Sequence, residues 1–330
     1  MAPPSRPPML RRASATVFFL AGMALALVAV AGCGSSTSTA ANGASTRAGA
    51  LPGTGRPAIT VGDKNFTEQF VLGELYSQAL QAQGFSVQLN QNIGPTEVTL
   101  QALKTNQLGL YPEYLNVWDA SVAGYSRTFT TRRGAYRAGQ RYARAHGMKL
   151  LDPTPFSDTD AIGVTVSFAQ HNHLKTIGDL APVATTLTLG VPPQFETDPK
   201  GLLALEQTYG FTPATVKALE IGAQYQALDQ GTVQAADVST TDGELTTGNY
   251  TLLGDPRHVF GVGNVVPVVS EHALEVEGPA FARTVNRVSA LLTLPVIQEL
   301  NAAVDVASQQ PATVAKRFLI DHGLVPTSTG

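Results

Sequence analysis

The chain has 330 residues, 43 % of them hydrophobic and 14 % charged, with 22 Lys and Arg against 25 Asp and Glu. That is enough for one large domain or two lobes with separate cores, and the composition is that of an ordinary globular protein. A formal charge of −3 carries no basic excess, which argues against nucleic acid as a partner.

The N-terminus reads as an export signal over residues 1–32. Arg11 and Arg12 precede VFFLAGMALALVAVAG, an apolar run that is early, short and followed directly by Cys33. VAGC (30–33) resembles the lipobox of bacterial lipoproteins, where the chain is cut before the cysteine and its sulfur takes a diacylglyceryl group. A plain secretory signal is the alternative. Cys33 is the sole cysteine of the chain, so there is no disulfide framework and no cysteine-rich zinc site. The twin arginines permit export in folded form without establishing it. Loss of Arg6, Arg11 and Arg12 leaves 19 basic residues against 25 acidic, a formal charge of −6. Residues 33–56 are small and polar and read as a flexible tether to a lipid-anchored, extracytoplasmic protein.

The folded part opens as alternating strand and helix. AITVG (58–62) reads as a buried strand, and Phe70, Val71, Leu75, Ala79 and Leu80 follow at helical spacing. Asn65 with Glu68 resembles a capping box, and Gly84 suits the helix stop. FSVQLN (85–90) reads as a second strand, TEVTLQALK as a short helix and LGLY (108–111) as a third strand. A βαβαβ start implies a mostly parallel sheet with its ligand beyond the strands' C-terminal ends. The arginines of RRGAYRAGQRYARAHG read as a solvated helix face. AIGVTV (161–166) and NVVPVVS (264–270) read as two crossing strands that bracket a second α/β unit. Three helical segments end near Gly323. The organisation is thus 57–160 and 266–330 as lobe I and 161–265 as lobe II, a bilobed binding protein with a hinge and a cleft.

The sequence has no G-x-S-x-G elbow, no H-E-x-x-H and no Walker loop, so no enzyme is expected. His171 and His173 lie in a polar loop without carboxylate or cysteine partners, and neither a metal nor a cofactor is expected. Lys64 and Asn65 sit where a strand exits into a helix, a place that favours anionic or polar ligand groups. IGPTE (93–97) repeats that arrangement with Thr96 as cap, and the turn YPEY (111–114) follows.

KNFTEQ, TEV…QAL, YPEY, LKTIGDLA, GLLALEQTYGF, Y-x-AL-x-x-G, STTDG and the C-terminal tail together resemble the glycine betaine/choline/carnitine substrate-binding proteins of ABC importers, in order through nearly all of residues 57–325. The resemblance implies a type II periplasmic-binding-protein fold, a monomer, and delivery of a quaternary amine to permease and ATPase subunits. In that family a box of tyrosines holds the methylated cation, which offers no conventional N–H bond and is held by aromatic faces. Tyr114 and Tyr225 match box positions, and Lys64 matches the lysine that contacts a ligand carboxylate. Asn116, in the stretch after YPEY, and Thr241, in STTDG, complete the expected ligand-binding set with Asn65 and Thr96. Tyr111 and Trp118 read equally as packing.

Other positions depart from the pattern. Asp160 stands for a box tyrosine, Asp198 for a carboxylate-holding arginine and Gly263 for another tyrosine, while Leu115, Asn116 and Val117 replace a hydroxyl-bearing T-G-T. Acids in a closed cleft repel a ligand carboxylate and attract a cation, so choline or a larger amine suits this chain better than glycine betaine. Alternatively both aspartates face solvent at the rim. A receptor or scaffold lipoprotein that kept the fold is the rival function.

Overall fold

A computed structural model of the chain describes residues 50–327. The signal peptide, Cys33 and most of the tether lie outside the described residues. Among the described residues no helix is long and apolar enough to cross a membrane.

The chain runs β1 (Ile59–Gly62), α1 (Thr67–Ala82), β2 (Val87–Asn90), α2 (Thr96–Lys104), β3 (Leu110–Tyr114), α3 (Leu115–Val117), α4 (Arg132–Ala145) and β4 (Met148–Leu150). It continues through β5 (Asp160–Thr165), α5 (Val166–His171), β6 (Thr188–Val191), α6 (Pro193–Thr197), α7 (Leu202–Tyr209), β7 (Thr215–Ala218), α8 (Gln224–Asp229), β8 (Ala235–Ser239) and β9 (Tyr250–Leu253). The end is β10 (Val265–Ser270), α9 (Glu271–Glu277), α10 (Pro279–Leu291), α11 (Leu294–Asp305) and α12 (Pro311–Asp321).

These strands form two five-stranded sheets, β2-β1-β3-β10-β4 and β7-β6-β8-β5-β9. Each is mixed: β1 is parallel to β2 and β3, whereas β10 runs antiparallel to β3 and β4. In the second sheet β6 is parallel to β7 and β8, while β5 is antiparallel to β8 and β9. Both faces of each sheet are covered, as strands with near-continuous apolar runs require. In lobe I, Val71, Leu75 and Phe281 pack on one face and Trp118, Leu103 and Met148 on the other. In lobe II, Leu180, Phe195 and Leu205 cover one face and Tyr225 and Leu228 the other.

Several expectations change here. YPEY is not a turn but most of β3, buried at every position. Its Pro112 sits opposite Pro267 of β10. The stretches expected as crossing strands are β5 and β10, which belong inside the sheets; the crossings are the irregular segments 151–159 and 254–264 that precede them. Strands β7 and β9 carry too little apolar alternation to be seen in the sequence. Residues 51–56 do not behave as a tether. Gly53 donates its N–H to the Gln83 carbonyl at 2.9 Å, and Arg56 reaches the Val276 carbonyl at 2.8 Å.

The two crossings are tied to each other. Thr154 N–H donates to Val265 O at 2.9 Å, Val265 N–H donates to Thr154 Oγ1 at 3.0 Å, and Asp158 N–H donates to Gly263 O at 3.1 Å. Asn264 Nδ2 donates to the Thr154 and Phe156 carbonyls at 3.0 and 2.6 Å. A third contact between lobes comes from α11. Gln298 Nε2 and Asn301 Nδ2 donate to the Thr240 and Thr241 carbonyls, each at 2.9 Å. Gly243 lies so close behind that a Cβ would come 2.4 Å from Ala302 N.

Candidate functional site

The exit of β1 builds the first part of the site. Lys64 is buried, and its Nζ donates to Glu113 Oε1 at 2.5 Å and to Thr96 Oγ1 at 2.9 Å. Thr96 hydroxyl donates onward to Glu113 Oε2 at 3.1 Å, and Tyr114 N–H caps Glu113 Oε1 at 2.9 Å. Glu113 is fully buried, so a charge-assisted network of this kind is what permits it to stay there. Lys64 is therefore turned inward onto Glu113 rather than offered to a ligand carboxylate. Thr96 is spent in the same network and is not a cap: Pro95 occupies the N-cap of α2, without a side-chain bond. Asn65 caps nothing either. Phe66 is the N-cap of α1, and Asn65 is exposed.

Glu68, expected in the capping box, points instead to the other lobe. It is buried at 4 % exposure, accepting the Tyr114 hydroxyl at 2.9 Å and Asn301 Nδ2 at 3.1 Å. The same Asn301 amide reaches the Thr241 carbonyl of lobe II. Asp158, on the first crossing, accepts the Ser239 hydroxyl, and Ser239 Oγ lies 3.3 Å from Thr241 Oγ1. Burial raises the Glu68 carboxyl well above its usual range, and the charge of Asp158 raises it further. Burial raises Asp158 as well. Two carboxyls thus face each other across the lobe junction with neutral donors and no cation between them.

Lobe II adds more acid. Asp160 opens β5 and Asp237 lies on β8, where Asp160 pairs with Ser239 and Ile162 with Asp237. Asp160 and Asp237 are therefore diagonal neighbours on one sheet face. Asp237 is buried at 6 % exposure, and its Oδ1 has no hydrogen-bond partner. The Asp160 surface is open to water, yet the protein around it desolvates the carboxyl and, with Asp158 and Asp198, pushes it up. Asp237 is raised by its burial first and by Asp160 and Asp242 next. Asp198 itself is exposed and closes a local turn by accepting Lys200 N–H at 2.7 Å.

The tyrosines expected as cage walls are already occupied. Tyr114 is 5 % exposed, with its ring stacked on Phe66 at 6.0 Å. Tyr225 is buried at 7 %, packs edge-on against Tyr250 at 4.7 Å and donates its hydroxyl to Asp242 at 2.8 Å. Trp118 and Tyr111 are core residues; the indole N–H donates to Gly139 O at 3.2 Å. Where the resemblance placed a third tyrosine, a Cβ on Gly263 would sit 1.7 Å from the Asp158 carbonyl oxygen. No side chain fits there while the crossings are paired. Asn116 lies beside this contact, with its Oδ1 buried and unpartnered.

The structure thus brings Tyr114 and Thr241 into the lobe junction and groups Asp160 with Asp198. It turns Lys64, Thr96 and Tyr225 into internal networks and leaves Asn65 outside. Glu68, Asp158, Asp237 and Asn301 were missed. Glu68 stands in KNFTEQ and Asp158 in FSDTDAIG (156–163), where a second aspartate beside Asp160 was the available signal. A separate hollow of about 470 Å³, lined by Ser126, Thr128, Thr130, Lys200, Thr208 and Arg257, gathers the basic side chains between the two lobes.

Two sheets with a polar junction and two paired crossings are the geometry of a solute-binding protein, and comparison with known proteins agrees. Residues 57–321 match the model of the substrate binding domain of ABC-type glycine betaine transport systems. The chain belongs to this family. It is 30 % identical over 280 residues to a glycine-betaine-binding protein of Pseudomonas aeruginosa, covering 81 % of this chain and 88 % of that one. Identity to the glycine betaine-binding protein YehZ of Escherichia coli is 27 %, over 83 % of this chain and 93 % of that one. The crystal structure of a glycine betaine/carnitine/choline ABC transporter protein superposes with a TM-score of 0.73 at 23 % identity, covering 81 % and 99 % of the two chains. The fold is of the type II periplasmic-binding-protein class, and the family is one of extracytoplasmic transport components rather than enzymes.

Proposed function

We propose that this protein captures a small organic cation without a carboxylate in the interlobe cleft and delivers it to the permease and ATPase of an ABC importer. The observation that carries the reading is the pair Glu68 and Asp158 at the lobe junction, whose hydrogen bonds come from the Tyr114 and Ser239 hydroxyls and the Asn301 amide, while the one ion pair among the described residues is Lys64 with Glu113. An incoming cation restores the balance that burial has disturbed, so closure and binding reinforce each other. The relatives named for glycine betaine and carnitine support the solute class of compatible solutes and quaternary amines. The ligand-facing set is Tyr114, Asn116, Asp160 and Thr241 from the sequence, with Glu68, Asp158, Asp237 and Asn301 added. The protein works as a monomer, held at the membrane through an acylated Cys33; each buried methylene contributes about 0.8 kcal/mol. Cys33→Ala should release it from the membrane fraction.

The test is calorimetric titration of the intact protein with choline and with glycine betaine. Choline binding with betaine silent supports the reading, and the reverse result overturns it. A second reading, a zwitterion whose carboxylate reaches Lys200, is favoured by the basic hollow. It predicts betaine binding that Lys200→Ala weakens at least tenfold.

A further inference from the structure

Several buried acceptors at the lobe junction lack a donor, and they identify what the ligand must bring. Glu68, Asp158, Asp160 and Asp237 contribute carboxylates from both lobes and the first crossing. The buried oxygens Asp237 Oδ1, Asn301 Oδ1 and Asn116 Oδ1 accept no hydrogen bond. Asn301 is only 3 % exposed, and its amide nitrogen is already spent on Glu68 and on the Thr241 carbonyl, so its oxygen is left facing a junction without a donor. Buried acceptors in that state are costly and call for N–H or O–H groups.

A quaternary ammonium cannot supply them. It is held by aromatic faces, and Tyr114 is stacked on Phe66 with Lys64 Nζ 5.7 Å from its ring centroid, Tyr225 is buried edge-on against Tyr250, and their hydroxyls are tied to Glu68 and Asp242. The buried cation of the first lobe is spent elsewhere: Lys64 forms the salt bridge to Glu113, the one such pair among the described residues. No three His, Cys, Asp or Glu side chains among the described residues come together in a way that could hold a metal ion. Carboxylates contributed from both lobes, with unpartnered acceptors among them, suit a cation that carries several N–H groups and a charge at each end.

Resting on the proposed function, we infer that the cleft is built for a protonated diamine or polyamine, gripped through its N–H groups by Glu68 and Asn301 of lobe I, Asp158 of the crossing, and Asp160 and Asp237 of lobe II. A primary ammonium carries three donors and a charge at each end of such a ligand, and charge-assisted bonds to carboxylates are about twice as strong as neutral ones. Closing the lobes around it satisfies acceptors that stay open without it.

Putrescine, its hexamethylated counterpart, choline and glycine betaine are titrated by calorimetry into the intact protein at pH 8. The expected result is putrescine binding at least tenfold tighter than choline, with the hexamethylated diamine, equal in charge but without N–H donors, at least tenfold weaker than putrescine. Asp237→Asn should weaken putrescine about tenfold. Choline or the hexamethylated diamine binding as well as putrescine overturns N–H recognition while the organic-cation reading stands. Binding of betaine alone overturns both. A folded protein that binds none of the four overturns the amine inference together with the choline expectation. Because the comparison of putrescine with its hexamethylated form uses the unaltered protein, it decides the matter even where Asp237→Asn fails to fold.

Discussion

The Tyr114 hydroxyl donates to Glu68 Oε1 at 2.9 Å across 46 positions of sequence. The bond joins the end of β3 to the first turn of α1 and fixes where a buried carboxyl sits at the lobe junction. It also helps explain why Tyr114 is buried: the hydroxyl orients the side chain, Phe66 stacks on the ring and Lys64 Nζ lies 5.7 Å from its centroid.

Tyr114→Phe keeps the ring and removes the donor. A hydrogen bond to a charged group contributes about 1.5–3 kcal/mol. The urea midpoint of the variant should fall clearly at high pH, where Glu68 is ionised. The loss should shrink at pH 5, where a protonated Glu68 needs one donor fewer. Equal losses at both pH values would sink the assignment of an ionisable Glu68 at this contact.

Lys64 and Glu113 form a buried pair, and removing one partner strands the other. Lys64→Met should cost about 3–5 kcal/mol, whereas Lys64→Met with Glu113→Leu should recover much of the loss. Denaturant unfolding of both variants checks this. If the double variant were as unstable as the single one, the network with Thr96 would be doing more than neutralising a charge.

Acidity acts in opposite directions on stability and on binding. Burial raises the carboxyls of Asp63, Asp119 and Asp242 to about 7; the charge of Glu74 adds to the first and those of Asp158 and Glu244 to the last. For Asp119 the cations Lys200, Arg127 and Arg141 oppose the rise. Each such group binds its proton more tightly folded than unfolded. Its stabilisation is fully present below about pH 4 and is lost as pH rises through 7. These groups therefore make the ligand-free protein less stable at pH 8 than at pH 5.5. Affinity for an organic cation should move the other way, rising over the same interval as the cleft carboxyls ionise. Thermal unfolding and calorimetry at both pH values separate the two trends. Affinity that does not change with pH would remove the carboxylates from the binding site.

Gly263 is the place where the crossings touch. Gly263→Ala puts a Cβ into the Asp158 carbonyl and must push the paired segments apart. A cost of about 1–3 kcal/mol is expected from such overpacking. Scattering should report a more open molecule, and affinity should drop while the circular dichroism of the two sheets persists. An unchanged scattering profile would mean that the crossings shift without opening the cleft.

Strand and helix alternation and the family resemblance were legible from residues 57–325 because each is carried by local stretches. An apolar period or a glycine stop acts on its immediate neighbours. The sequence could also separate Trp118 and Tyr111 from ligand contact no further than calling both readings open, since burial depends on what β10 and α4 bring against them. YPEY shows the limit most clearly. Its proline and two tyrosines suggest a turn, yet β10, whose Pro267 lies 155 positions beyond Pro112, pairs with it and makes it a central strand.

Tertiary structure alone decided what the polar side chains do. Lys64 finds Glu113 49 positions away, and Asn301 finds Glu68 at a separation of 233. A charged side chain at a strand exit has no local rule that chooses between an inward ion pair and an outward ligand contact. That choice is made by the desolvation cost of whichever opposite charge the fold places within reach, and for Lys64 the buried Glu113 carboxylate sets the direction.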